Sequence, residues 1–163
     1  MRTVLIIGAG RSASSLIQYL LNKSEAEDLH LIIGDLSLAS AQNKTNNHPN
    51  STAISLDIFD QNQRKEAIQK ADIVISMLPA HLHIEVARDC IILKKHMVTA
   101  SYISDAMQEL DVLAKENNLI FMNEIGLDPG IDHMSAMKVI HEIKAKGGKM
   151  LLFESFCGGL VAP

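Results

Sequence analysis

The chain has 163 residues, 47% of them hydrophobic and only 4% aromatic, with a formal net charge of −4. That is enough chain and enough apolar mass for one domain with a buried core. The acidic balance argues against a nucleic-acid footprint, and no apolar run approaches the roughly 18 residues that a membrane helix needs.

In chain order, Met1-Arg2-Thr3 runs directly into an apolar segment, so no signal peptide is expected and the expected location is cytoplasmic. Val4-Leu5-Ile6-Ile7 reads as a strand, Gly8-Ala9-Gly10-Arg11-Ser12-Ala13 as a tight turn, and Ser14 to Leu21 as a helix. In such a turn Gly8 permits a bend that a Cβ would block, and Gly10 lets a pyrophosphate approach the main chain. The third position, Ala13, must be small so that helix and strand pack closely. The helix start presents free N–H groups to a phosphate. On these residues alone a ligand-free turn competes with that reading. A second strand, Leu29 to Ile33, ends in Gly34-Asp35. Asp35 stands about where an acidic residue meets the adenosine ribose hydroxyls, although it would also serve as a helix cap.

A short helix from Leu38 to Lys44, a loop from Thr45 to Asn50 and a strand from Thr52 to Leu56 follow, closing on Asp57. The spacing then predicts a helix over Asp60 to Lys70, with Ala67 and Ile68 facing inward. Ala71 to Leu78 is almost continuously apolar, which implies burial on both faces of a parallel sheet. Pro79 ends it. The next elements are a helix from His81 to Leu93, a strand from His96 to Ala100, and a helix from Asp105 to Asn117 capped by Ser104. Met107, Leu110, Leu113 and Ala114 make that helix's core stripe. A strand from Leu119 to Met122 leads into the polar, glycine-rich turn Asn123 to His133. A helix to about Lys146 and a last strand from Lys149 to Phe156 complete the pattern. Cys90 and Cys157 lie far apart and outside any C-x-x-C pair, so reduced, buried thiols are expected.

Alternating strands and helices mean right-handed βαβ units. The expected fold is α/β: a Rossmann-like doubly wound parallel sheet of order 3-2-1-4-5-6. Residues 1–148 form the dinucleotide-binding domain, and 149–163 begin a crossing toward a second domain. Ligands bind beyond the carboxyl ends of such strands. There the sequence places Gly8-Ala9-Gly10, Asp35, Leu78-Pro79, Ser101-Tyr102 and the turn after Met122.

That last turn, Asn123-Glu124-Ile125-Gly126-Leu127-Asp128-Pro129-Gly130-Ile131-Asp132-His133, is unusually rich in chemistry. Asp128 as N-cap with Pro129 at the first helical position would explain part of it. The functional alternative is a carboxylate and backbone N–H groups held where a nicotinamide meets a substrate. His81-Leu82-His83 separates its two rings on a helix and has no cysteine partner, so a capped helix start outweighs a metal site. Ser14-Ser15 lacks a G-x-S-x-G context for a nucleophile.

The whole turn resembles the signature of the glutamate-forming saccharopine dehydrogenases. Thr99-Ala100-Ser101-Tyr102-Ile103-Ser104 and Phe156-Cys157-Gly158-Gly159-Leu160-Val161-Ala162-Pro163 resemble two further segments of that family. The resemblance implies that Ala9, Gly10, Arg11 and Ser12 contact the cofactor, with Gly8 shaping the bend. It implies Asp57 and Ile58 near the adenine and Leu78 beside the dinucleotide. Ala100 and Ser101 match a cofactor-contacting pair, and Ser101 with Tyr102 a substrate-contacting pair. Leu127-Asp128-Pro129 matches the segment at the nicotinamide end, with Asp128 also reaching saccharopine. His83 matches a family histidine to which no role is attached.

The implied reaction interconverts saccharopine with glutamate and 2-aminoadipate 6-semialdehyde, a step of lysine metabolism, using NAD or NADP. No residue is assigned as general acid or base; His133 and Tyr102 are the candidates. Members using NADP tend to carry an Arg after the second strand, whereas this chain has Asp35-Leu36-Ser37, so NAD is expected over NADP. Phe156 and Val161 replace a Tyr and a Pro. The family's chain continues into a second α/β domain that holds the substrate carboxylates. This chain is therefore expected to be part of a longer enzyme, not fully active alone, with any self-association through the absent domain. The expected partner is a small amino-acid substrate. Two alternatives stay open: a carboxynorspermidine-type imine-reducing dehydrogenase and a non-catalytic nucleotide-binding module.

Overall fold

Residues 1–158 are described in the computed structural model of the chain. Six strands alternate with helices: β1 (Arg2–Ile7), α1 (Ser14–Lys23), β2 (Leu29–Asp35), α2 (Leu38–Thr45), β3 (Ser51–Ser55), α3 (Gln61–Gln69), β4 (Ile73–Ser76), α4 (His83–Leu93), β5 (His96–Thr99), α5 (Asp105–Gln108), α6 (Asp111–Glu116), β6 (Phe121–Met122) and α7 (Ile131–Ala145). Short 3₁₀ turns at Arg11–Ala13 and Ala80–Leu82 lead into α1 and α4. The sheet order is β3-β2-β1-β4-β5-β6, with every pair parallel. This is the expected doubly wound architecture, and all six carboxyl ends lie on one edge.

The central strands are buried on both faces, as their unbroken apolar runs require. Side chains alternate between the faces. Leu5 and Ile7 join Val74, Ile68, Val86, Cys90 and Met97 in one core. Val4 and Ile6 join Ala13, Ile17, Leu31 and Ile33 in the other. Ala13 is fully buried under the glycine turn, which is why that position must be small. Ser37, Asp60 and Ser104 cap α2, α3 and α5 with their side chains.

Several expectations need correction. Asp35 does not cap a helix; Ser37 does, by accepting from the Ser40 N–H. The helix expected over Asp105 to Asn117 breaks into α5 and α6, and Leu113 is exposed. Pro129 is not the first residue of α7: Gly130, at φ 147, precedes the helix instead. No strand forms over Lys149 to Phe156. A strand needs a neighbour for its backbone groups. β6 pairs through only two residues, and no described strand pairs with 149–156. Leu151 and Phe156 are accordingly 94% and 91% exposed. Of the two free thiols Cys90 is buried, with a pKa pushed up to about 12 by burial, whereas Cys157 is exposed, contrary to expectation. Gly159 to Pro163, the end of the third family-like segment, lies outside the described residues.

Candidate functional site

The strand-turn-helix at the start of the chain is tied to β2 through Asp35. One Asp35 oxygen accepts the Ala9 N–H at 2.8 Å, and the other accepts the Ser37 N–H at 2.9 Å. Gly8 N–H donates to the Gly34 carbonyl at 2.8 Å. Gly8 itself has φ 105, and a Cβ there would meet the Met77 carbonyl oxygen at 2.9 Å, so the fold requires glycine. Gly10 is different. Its φ is −66, which any residue adopts, and nothing lies within 4 Å of where its Cβ would be. Neither Gly10 nor Ala13 caps the helix start with a side chain, and the first N–H groups of a helix have no partner within it. Arg11 and Ser12 are exposed beside them. The space that a Gly10 side chain would fill, in front of these groups, is open.

A cleft beside the turn collects five of the expected residues, Gly8, Asp35, Asp57, Ile58 and Leu78, with Leu36 and Phe59 added. Sequence reasoning missed the last two; an exposed Leu and an exposed Phe flanking two acidic residues were the only signal. The wall at Asp57 to Phe59 is built locally. Asp57 accepts the Phe59 N–H, and Gln63 accepts the Asp57 N–H. The buried Arg64 guanidinium donates to the Ile58 carbonyl.

Farther along the same edge, the loops after β5 and β6 are stitched together. Glu124 N–H donates to the Ser101 carbonyl at 3.1 Å, and the Glu124 carboxylate accepts the Ile103 N–H at 3.0 Å. The Tyr102 hydroxyl donates to Asp128 at 2.5 Å. Ala100 lies against Gly126, where a Cβ would meet the Ala100 Cβ at 3.0 Å. Gly126 and Gly130 bridge one another across the exposed Leu127 and Asp128 and the buried Pro129. The two family-like segments are therefore two halves of one structure, and Glu124 is the tie that sequence reasoning missed. Ser101 joins this group from below through a hydrogen bond of 2.7 Å to the buried His83.

The charge here is concentrated and negative. Ligand atoms of Asp128, Asp132 and His133 lie within 4.8 Å of one another. The hydrogen bond to Asp128 pushes Tyr102 up to about 12, with Asp132 and Glu124 adding to it. Tyr102 is therefore a phenol and a proton donor at neutral pH. His133 Nδ1 lies 2.7 Å from Asp132, and that hydrogen bond raises the His133 pKa. The Cys157 thiol is also pushed up, chiefly by the nearby Asp128 carboxylate. An anion beside a phenol opposes its ionisation. In Asp128→Asn the Tyr102 phenolate will accordingly appear at lower pH, moving from about 12 toward the ordinary 10. Ultraviolet titration of the two tyrosines reads this shift, and an unmoved high-pH transition would refute the pairing.

Residues 4–122 match the family model described as the saccharopine dehydrogenase NADP binding domain, and residues 126–163 match the saccharopine dehydrogenase C-terminal domain. The chain is 41% identical over 162 residues to a saccharopine dehydrogenase [NADP(+), L-glutamate-forming] of Pyricularia oryzae, covering 99% of this chain and 35% of that protein. It is 38% identical to an alpha-aminoadipic semialdehyde synthase of Arabidopsis thaliana, over 98% of this chain and 17% of the relative. The solved apo saccharopine dehydrogenase (L-Glu forming) of Saccharomyces cerevisiae superposes with a TM-score of 0.80 at 36% identity, covering 90% of this chain and 32% of that one. The chain thus spans about a third, or less, of the length of these relatives. With the fold, the glycine turn and the stitched loops all in agreement, the chain belongs to the saccharopine dehydrogenase family.

Proposed function

We propose that this chain is the dinucleotide-binding part of an oxidoreductase that interconverts saccharopine with glutamate and 2-aminoadipate 6-semialdehyde. The observation that carries this reading is Gly10: a glycine with no local need to be one, standing in open space at an uncapped helix start. The turn from Gly8 to Ser12 would hold the diphosphate, and the cleft of Asp35, Asp57, Ile58 and Leu78 would take the adenosine. The nicotinamide end would then lie toward Ala100, Ser101 and Leu127 to Pro129, beyond β5 and β6 on the same edge.

The dinucleotide, when bound, supplies the hydride chemistry. This chain's residues supply position and charge. Saccharopine and its imine are cationic at the reacting nitrogen, and Asp128, Asp132 and Glu124 provide the negative field that favours such a group. Tyr102, held protonated, orients Asp128 and is not the base. His133, whose proton is held by Asp132, is the better candidate for moving one. The family resemblance assigns the groups that grip the substrate carboxylates to a second α/β domain, and the chain covers 35% of one relative. Titration of saccharopine into the dinucleotide-loaded chain tests this half-site: weak binding lost in Asp128→Asn supports it, and binding unaffected by that change overturns it.

The preferred cofactor on this reading is NAD, although the relatives' names carry NADP(+). Asp35 presents a carboxylate beside the ribose position, where a 2′-phosphate would be repelled. Two charges a few ångströms apart at a wet surface interact by about 1–2 kcal/mol, so NADH will bind about tenfold tighter than NADPH. Calorimetric titration of both decides it, and tighter NADPH overturns the preference.

A further inference from the structure

The most buried polar cluster on the functional edge is centred on His83, at the start of α4 and 3% exposed. Its ring joins three segments. Nδ1 lies 2.8 Å from the Ser76 hydroxyl at the end of β4. Nε2 lies 2.7 Å from the Ser101 hydroxyl and 3.0 Å from that of Thr99 at the end of β5. Ser76 and Thr99 are buried, whereas Ser101 reaches the rim. Burial, with His81 nearby, lowers the His83 pKa, so the ring is neutral and has one lone pair to offer.

Where that lone pair points can be decided by placing the protons. If Nε2 is the acceptor, Ser101 or Thr99 can donate to it, but not both. The Ser76 hydroxyl proton then faces no acceptor, because His83 is its only partner among the described residues. If Nδ1 is the acceptor, Ser76 donates to it at 2.8 Å, and Nε2–H points between the oxygens of Ser101 and Thr99. Only the Thr99 proton is then poorly served, with Nδ1 at 3.5 Å. With Thr99 donating to Nε2, the first arrangement also leaves one buried proton unserved, but it then sets the Ser101 oxygen, 2.7 Å away, against the Nε2 lone pair with no proton between them. The second arrangement avoids that repulsion by aiming Nε2–H at both oxygens. It also fixes the direction of Ser101. An oxygen that accepts from Nε2–H keeps its own O–H to donate outward.

We propose that His83 is a positioning residue: it carries its proton on Nε2 and so makes Ser101 a hydrogen-bond donor to an oxygen acceptor of the bound ligand. The acceptor chemistry is an amide or carboxylate oxygen, found in the carboxamide of the cofactor and in the carboxylates of an amino-acid substrate. This rests on the reading of Ser101 as a ligand contact.

The test has two parts. In the ligand-free chain labelled with 15N, the His83 imidazole should show a protonated Nε2 and a bare Nδ1. A protonated Nδ1 overturns the proposal whatever the chain binds. The second part measures binding of NADH alone, and of glutamate to the NADH-loaded chain, for Ser101→Ala, His83→Leu, His83→Gln and the double variant S101A/H83L. The expected loss for Ser101→Ala is about tenfold in one arm, the arm naming the acceptor. His83→Leu should match that loss, the double variant should be no worse than either, and His83→Gln, which keeps a donor, should recover much of it. Losses that multiply in the double variant overturn the proposal. Ser101→Ala without effect in both arms defeats the reading of Ser101 as a contact instead. Should His83→Leu fail to fold, Ser76→Ala replaces it: the freed Nδ1 lets the ring change tautomer, and an unchanged tautomer and affinity there overturn the argument from Ser76.

Discussion

Asp89→Ala will cost the fold about 3–5 kcal/mol, read from urea unfolding. Asp89 and Arg64 have side chains only 2% and 5% exposed, and they meet at 2.6 Å between α4 and α3. Removing one partner of a buried pair strands the other charge, and that stranding sets the size of the effect. Glu85 at 3.6 Å is too exposed and too distant to replace Asp89, and Lys65 reaches Asp89, not Arg64. A domain of this size has only about 5–15 kcal/mol in total. The loss will also be felt in the cleft, because the same guanidinium holds the Ile58 carbonyl. Asp89→Asn keeps an acceptor and should lose less. The paired change Arg64→Met with Asp89→Leu should recover most of the stability, because an apolar pair needs no desolvation. A loss below about 1 kcal/mol for Asp89→Ala would show that the pair is solvated in solution.

That ion pair shows where sequence reading stops. The strands were legible because a buried parallel strand writes an unbroken apolar run, as in Val4 to Ile7 and Leu31 to Ile33. From the count and alternation of such runs the sheet order followed. Arg64, by contrast, sits in a polar helix whose sequence reads as solvated, and burial of a charge depends on a partner on another helix. His83 is similar: beside His81 it looks like a capped helix start, yet one ring is exposed and the other lies between the carboxyl ends of β4 and β5. Lys149 to Phe156 failed in the opposite sense. Its apolar content announces burial but cannot name the surface that provides it. α7 has the same property, with no buried residue and with Ile131, Met134 and Val139 all exposed.

Gly8 and Gly10, two residues apart in one turn, will fail in opposite ways. Gly8→Ala should destabilise the fold by at least about 1–3 kcal/mol, since an L side chain at positive φ is strained in itself. The new Cβ would in addition press on the Met77 carbonyl, part of the backbone joining β4 to the next turn. Dinucleotide binding would fall with it, as a consequence. Gly10→Ala meets neither obstacle: φ is −66 and the space is empty. Its unfolding free energy should stay within about 0.5 kcal/mol of the parent, as for an unconstrained surface change. Its dinucleotide affinity should nonetheless drop about 10- to 100-fold, because charged hydrogen bonds from the helix start are worth roughly 1.5–3 kcal/mol and a methyl group there holds the diphosphate away. Measuring stability and NADH affinity on both variants separates a glycine the chain needs from a glycine its ligand needs. If Gly10→Ala binds NADH as well as the parent, the turn does not cradle a diphosphate and the functional reading loses its foundation.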